Sequence, residues 1–198
     1  MSEWLSRRMV EQGIITKEDI GIYQYGIQTG FLMLLNLFTA LLIGLFTEKL
    51  LLVAVFTASF MTLRSYTGGY HSCSRIFCYI SSSLVLFVPI YSAGWFQELQ
   101  NQSHVIATGL LIILMLIASG IILWLSPMDS KNRILDAEEK RYFRKKAKVI
   151  LGTQLFILAI LYALDIFVSA FAIFSSICII AVFMLIGKAV LQIQLHME

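Results

Sequence analysis

This 198-residue chain is poor in charge, proline and cysteine: only 14% of residues are Asp, Glu, Lys or Arg, and there are two prolines and three cysteines. Soluble domains carry roughly a quarter charged residues, so an ordinary globular composition is excluded. Two prolines exclude a collagen-like or proline-rich chain, and three cysteines exclude a disulfide scaffold. What is present instead is 59% hydrophobic residues and a mean hydropathy of +0.82, too apolar for a disordered segment. Apolar residues at this density come in runs longer than a soluble core uses, and the chain reads as an all-α polytopic membrane protein.

Six runs are candidates for crossing the bilayer. Residues 26–46 and 105–125 are each uncharged for 21 residues, and a helix needs about 20 to cross a hydrocarbon core of ~30 Å. Residues 50–63 make a run of only 14 before Arg64, which fits a short or tilted span or a re-entrant element. Residues 79–96 contain Pro89, where the lost backbone donor predicts a kink. Residues 149–167 and 169–187 are the last two, split near Asp165, which reads as a turn residue close to a helix end. The whole chain, 1–198, reads as one domain, with 1–25 as a leader, 26–187 as six spans and 126–148 as a basic connector.

Lysine and arginine concentrate on the cytoplasmic side of membrane proteins. With the N-terminus inside, six spans leave Lys49 as the only one of 15 basic residues outside, and both termini are cytoplasmic. The connector alone holds Lys131, Arg133, Lys140, Arg141, Arg144, Lys145, Lys146 and Lys148. Omitting any one span breaks this asymmetry, which supports the short second span. Residues 1–25 lack the apolar core of a cleavable signal. Trp4, Leu5, Met9 and Ile15 beside Arg7, Arg8 and Lys17 suit a helix lying in the interface, a solvated leader being the alternative. Tyr23, Tyr25, Trp95 and Trp124 fall at span ends, as an aromatic belt places them.

Ionisable residues inside spans mark ion pathways, and apart from Asp165 these spans have almost none, which argues against a transporter or channel. Gln28 and Asn36 read as helix-packing hydrogen bonds, and Gly26 with Gly30 as a small-xxx-small pair. Cys178, in mid-span, reads as a small buried hydrophobe. Reactive side chains gather instead in the polar loop 64–78, Arg-Ser-Tyr-Thr-Gly-Gly-Tyr-His-Ser-Cys-Ser-Arg-Ile-Phe-Cys, which holds two of the three cysteines. A thiol becomes a nucleophile as its thiolate, which needs a base or a positive environment, and His71 is the histidine near Cys73 and Cys78. One continuous helix from His71 to Cys78 would put both on one face but ~10.5 Å apart along the axis, beyond the ~3 Å of a nucleophile–base hydrogen bond. The segment is therefore expected to bend, with Gly68 and Gly69 permitting it, Ser72 or Ser74 capping the next helix, and Cys78 in its first turns, where the helix dipole and Arg64 or Arg75 favour the thiolate. A zinc site from His71, Cys73 and Cys78, and a scaffold that merely presents the basic connector, are the competing readings.

Arg64, Gly69, His71 and Cys78 form an Arg-x4-Gly-x-His-x6-Cys pattern, and Ser126-Pro127 through Lys131-Asn132-Arg133 leads into the Glu-Lys-Arg-rich stretch 138–148. In these two stretches, and in the leader and six-span layout, the chain resembles the accessory gene regulator protein B (AgrB) family of membrane cysteine endopeptidases that process quorum-sensing propeptides. The resemblance implies that His71 and Cys78 are catalytic and that Arg64 and Gly69 support the site or contact substrate. It implies attack of Cys78 on an AgrD-like propeptide, a thioester intermediate, and ring closure to a thiolactone or lactone. It further implies a bacterial cell membrane location with the reactive loop cytoplasmic, no cofactor or metal, no nucleic acid, and a homodimer in the lipid bilayer. The basic connector either fixes topology or also binds an acidic peptide tail. Cys73 is a second thiol that the pattern does not require.

Overall fold

The computed structural model describes residues 4, 8–10, 12–16, 19–68, 75–128 and 136–196, without the side chains of 22, 25, 75–78, 191 and 193–196. Among these residues the elements are helices: α1 Ile20–Phe46, α2 Leu50–Thr67, α3 Arg75–Val85, α4 Phe87–Gln102, α5 His104–Leu125, α6 Ala137–Ala163 and α7 Phe167–His196. Six stretches are long and apolar enough to cross a membrane: Gly26–Phe46, Leu50–Thr67, Tyr79–Gln102, His104–Leu125, Ala137–Ala163 and Phe167–Val190. The six runs of the sequence are these six stretches, and the chain is an all-helical, multi-pass membrane protein.

Contacts divide the chain into residues 1–39 and residues 40–198. In the first unit, Arg8 stacks its guanidinium 4.7 Å from the Trp4 ring, and the Thr16 hydroxyl donates to Asp19 at 2.6 Å just before α1 begins. Leu5, Arg7 and Lys17 of the expected interfacial helix lie outside the described residues. The α1 positions from Phe31 to Phe38 expose Phe31, Leu34, Leu37 and Phe38, an apolar surface suited to hydrocarbon.

In the second unit, α7 is the central helix. It packs on α2, α4, α5 and α6, and 67% of its span is buried. Its buried row Phe171, Phe174, Ile177, Ile180, Ala181 and Met184 meets Leu52, Val53, Phe56 and Leu63 of α2 and Leu111, Met115, Ala118 and Ile122 of α5. The outward positions of α5 and α6, such as Ile113, Leu116, Phe156 and Ile160, are exposed, as lipid-facing side chains are. A polar girdle crosses this apolar interior: Gln154 of α6 donates its amide to the Ser59 carbonyl of α2 at 2.9 Å, and the Ser59 and Ser176 hydroxyls are 2.6 Å apart. In hydrocarbon such groups have no water to turn to, so they bind one another across helices.

Three boundaries differ from the hydropathy reading. The second span runs on to Thr67, giving 18 residues rather than 14, because Arg64 finds aromatic partners inside the bundle. The fifth span's helix starts at Ala137, so much of the basic connector is helix rather than loop. Its start is set by a capping box in which Asp136 caps the Glu139 backbone and the Glu139 carboxylate accepts from the Asp136 amide at 3.4 Å. The third span runs on to Gln102 rather than Phe96, and the kink expected from Pro89 falls at Leu86 between α3 and α4, where the missing proline N–H leaves the preceding turn unsupported. Asp165 is a turn residue, with φ of 58° between α6 and α7.

Candidate functional site

The two ends of the second unit are chemically distinct. At one end the chain reverses at Thr47–Lys49, and the Lys49 ammonium donates to the Ile90 carbonyl at 2.6 Å. There Phe96 also stacks on Phe167 at 5.6 Å and packs tilted against Phe171 at 5.2 Å, and the Tyr162 and Thr108 hydroxyls are 2.5 Å apart. At the other end α2 and α5 finish and α6 begins, with Arg64 near the end of α2 and Ser126-Pro127 just past the end of α5.

Here α2 ends in a backbone clasp. The Met128 amide, immediately after the cis Ser126–Pro127 peptide, donates to the carbonyl of the fully buried Thr67 at 3.1 Å. The next residue, Gly68, has φ of 73° and ψ of −149°, a conformation open essentially to glycine alone. A β-carbon at Gly68 would sit 2.7 Å from the Met128 carbonyl oxygen, so the close approach of the two chains excludes any side chain there. The Arg144 Nε of α6 donates to the Ser126 carbonyl at 3.2 Å. The end of α2 is thus joined to the distant pair α5 and α6 where the chain leaves α2 for residues 69–74.

Arg64 lies one turn before Gly68, whose amide closes the helix on the Arg64 carbonyl at 3.3 Å. Its guanidinium carbon stands 5.6 Å from the Phe60 ring centroid and 5.1 Å from that of Phe183 on α7. The same end carries the Lys188 ammonium 3.9 Å over Trp124, and Phe143 of α6 tilted on Tyr66 of α2 at 6.1 Å. Cations are attracted to aromatic faces, so both positive groups are held against rings of the bundle.

Of the residues singled out from the sequence, Arg64 is therefore built into the bundle, and Gly68 is the pivot after it. Gly69, His71, Ser72, Cys73 and Ser74 lie outside the described residues, as do Lys131, Asn132 and Arg133. The backbone of Cys78 is in the first described turn of α3, and its side chain and that of Arg75 lie outside the described residues. Among the described residues no group of three His, Cys, Asp or Glu side chains is arranged to hold a metal. Cys178 is half-buried on α7 and packs against the apolar core.

Sequence reasoning missed the clasp of Thr67, Gly68, Met128 and Arg144, the rings of Phe60 and Phe183, and the girdle of Ser59, Gln154 and Ser176. Gln154 gave a signal, as an amide within a long uncharged run. The ring and clasp contacts join positions far apart in the chain and had none.

The family model described as Accessory gene regulator B matches residues 2–192. Among curated proteins, a "Putative AgrB-like protein" of Clostridium perfringens (strain SM101 / Type A) is 27% identical over 161 residues, covering 79% of this chain and 73% of the relative. A "Putative AgrB-like protein 2" of Clostridium perfringens (strain 13 / Type A) is 30% identical over 140 residues, covering 69% of this chain and 64% of the relative, just under two-thirds of that protein's length. No solved structure matches the chain.

Proposed function

Taking as premise that the chain belongs to the accessory gene regulator B family, and so to the agr quorum-sensing system, we propose that it is a membrane-embedded cysteine endopeptidase that cleaves an AgrD-related propeptide and closes its ring. The family match supplies membership, propeptide processing as the setting, and an AgrD-related partner. The observation that carries the finer reading is the Arg-x4-Gly-x-His-x6-Cys pattern, which begins at the aromatic-held Arg64 and ends at Cys78 in the first described turn of α3.

In this reading His71 takes the Cys78 proton, and the thiolate sulfur attacks a peptide carbonyl carbon. As the tetrahedral species collapses, the C–N bond breaks, and the released C-terminal segment leaves as an amine carrying the proton from the imidazolium. The N-terminal part of the peptide stays on Cys78 as a thioester. A thiol or hydroxyl of that peptide then gives its proton to His71 and attacks the same carbonyl; the bond to the Cys78 sulfur breaks, closing a thiolactone or lactone ring and returning the Cys78 thiolate beside the protonated His71. Water competes for the thioester, and a site at the membrane boundary favours cyclisation by limiting water. Backbone amides near Cys78 are the oxyanion donors in this scheme.

Arg64 supports the site or contacts the peptide, and Gly69 supplies the backbone freedom that brings His71 toward Cys78. The reactive loop faces the cytoplasm of a bacterial cell, and residues 1–198 act as one AgrB-like domain, as a homodimer. Cys78→Ala and His71→Ala are each expected to abolish cleavage of a co-expressed AgrD-type propeptide while leaving membrane insertion intact. Cleavage that persists in Cys78→Ala overturns the assignment.

A further inference from the structure

We propose that the outward face of α6 is a binding site for an anionic phospholipid: Arg141, Lys145 and Lys148 hold the headgroup phosphate, and Val149, Gly152 and Phe156 receive an acyl chain. The site is independent of the cleavage proposed above. The side of α6 that faces the bundle is the row Ala147, Leu151, Gln154 and Leu158, all buried. Lys145, Val149, Gly152 and Phe156 repeat that spacing two residues earlier. Two residues turn a helix by about 200°, so the second row looks away from the bundle, and all four of its members are exposed. A β-carbon at Gly152 would meet nothing within 4 Å, so the row dips to bare backbone between Val149 and Phe156.

Two separate measures put the membrane boundary on this face. A hydrocarbon core takes about 20 helical residues, and 20 counted back from Ala163, the last residue of α6, reach Arg144. The Arg144 Nε donates to the Ser126 carbonyl at 3.2 Å, so the same turn is level with the end of α5. There Trp124 is exposed, with the Lys188 ammonium 3.9 Å over its ring. Tryptophan collects at the headgroup level of a bilayer, and lysine and arginine reach toward it from just inside. Arg141, Lys145 and Lys148 therefore meet headgroups, while Gly152 and Phe156, one to three turns further along, meet acyl chains.

The three cations stand at i, i+4 and i+7, on successive turns of one side of the helix, and all are exposed. Among the described residues none of them forms an ion pair, whereas Lys146 lies 5.6 Å from the Tyr142 ring. The carboxylates of α6, Glu138 and Glu139, stand in its first turn, before all three. Like charges one turn apart destabilise a helix, and a phosphate between them removes that repulsion. Arginine takes phosphate oxygens in pairs and lysine meets them as a point charge. A soluble acidic peptide would satisfy the cations and leave the exposed apolar half of the row unmatched. A phospholipid matches both halves at once, and the order of charge then hydrocarbon along α6 is the order within the lipid.

The test reads lipid identity beside α6. Full-length protein with its three native cysteines changed to alanine carries Thr153→Cys, exposed next to the row, labelled with bimane in phosphatidylethanolamine–phosphatidylglycerol vesicles. The control is Leu116→Cys, exposed on α5 and nine residues in from Leu125, as Thr153 is from Arg144. Quenching is compared between phosphatidylglycerol and phosphatidylethanolamine bearing the same nitroxide on an acyl chain, at equal mole fraction. Phosphatidylglycerol is expected to quench the Thr153→Cys label about threefold more strongly than phosphatidylethanolamine, and the Leu116→Cys label about equally. Arg141→Gln/Lys145→Gln/Lys148→Gln is expected to abolish the preference, Lys145→Gln alone to reduce it, and the charge-keeping Arg141→Lys/Lys145→Arg/Lys148→Arg to retain it. Equal preference at the two labelled positions, or a preference that survives the triple glutamine variant, overturns the inference. Soluble hexaglutamate in excess is expected to leave the preference intact; if it removes it, the surface belongs to an acidic peptide and the lipid assignment fails.

Discussion

The Met128 amide donates a hydrogen bond of 3.1 Å to the carbonyl of Thr67, across 61 positions of sequence. That bond joins the end of α2, where the Arg-x4-Gly-x-His-x6-Cys pattern begins, to the Ser126-Pro127 stretch that is the second point of family likeness. The described start of one motif and the described start of the other are therefore joined by a backbone bond. Arg144 extends the junction to α6 through the Ser126 carbonyl, so the basic half of α6 is anchored at the same place.

The first prediction concerns the clasp. Gly68→Ala adds a β-carbon that meets the Met128 carbonyl oxygen at 2.7 Å and forces a glycine-only conformation on alanine. Strain of this kind costs about 1–3 kcal/mol. The variant is expected to melt at a lower temperature than the parent in detergent and to lose propeptide cleavage by at least about tenfold. Cleavage at the parental rate would mean that the departure point of the reactive segment is immaterial.

The second concerns the girdle. Gln154→Ala removes the amide that donates to the Ser59 carbonyl at 2.9 Å and to the Thr62 hydroxyl at 3.3 Å. Interhelical hydrogen bonds in membranes contribute about 0.6 kcal/mol on average and at most about 1.7. The variant is expected to unfold at lower denaturing-detergent fraction by a margin in that range, and Gln154→Leu by less, because its side chain refills the space. Equal losses in both would show that the amide's hydrogen bonds carry the whole effect and the refilled volume none of it.

The third concerns topology. A thiol introduced at Asn101, in a background without native cysteines, is expected to react with an impermeant maleimide applied to intact cells, and one at Asp136 only after lysis. The two sites lie at the two ends of the bundle, before α5 and at the start of α6. The reverse pattern would place the motif end outside.

How much of this was legible beforehand can be judged from particular residues. The six spans were read from apolar runs because a bilayer demands that length of uncharged helix whatever its neighbours are. Charged residues misled the boundaries: Arg64 looked like the end of a span, yet aromatic rings accept its guanidinium and the helix continues to Thr67. The lysines and arginines of 140–148 looked like a connector, yet Asp136 and Glu139 start a helix that carries them. Asp136 followed three residues later by Glu139 has the spacing of a capping box, which hydropathy alone does not register. The clasp at Gly68 was half legible, since paired glycines announce a turn without saying what approaches them. Met128 and Phe183 were not legible, because packing between distant segments has no local signature.

The fourth prediction separates the thiols. Cys73→Ala and Cys178→Ala are expected to retain cleavage, Cys178 because it packs on the apolar face of α7 and Cys73 because the motif spacing falls on Cys78. Loss of cleavage in Cys73→Ala would move the nucleophile.

The central claim is the acyl-enzyme. Full-length protein is incubated in vesicles with a synthetic AgrD-type propeptide, quenched in acid and analysed by mass spectrometry. The account predicts a peptide adduct on Cys78, sensitive to hydroxylamine and absent in Cys78→Ala. An actively cleaving preparation that never carries that adduct would contradict it.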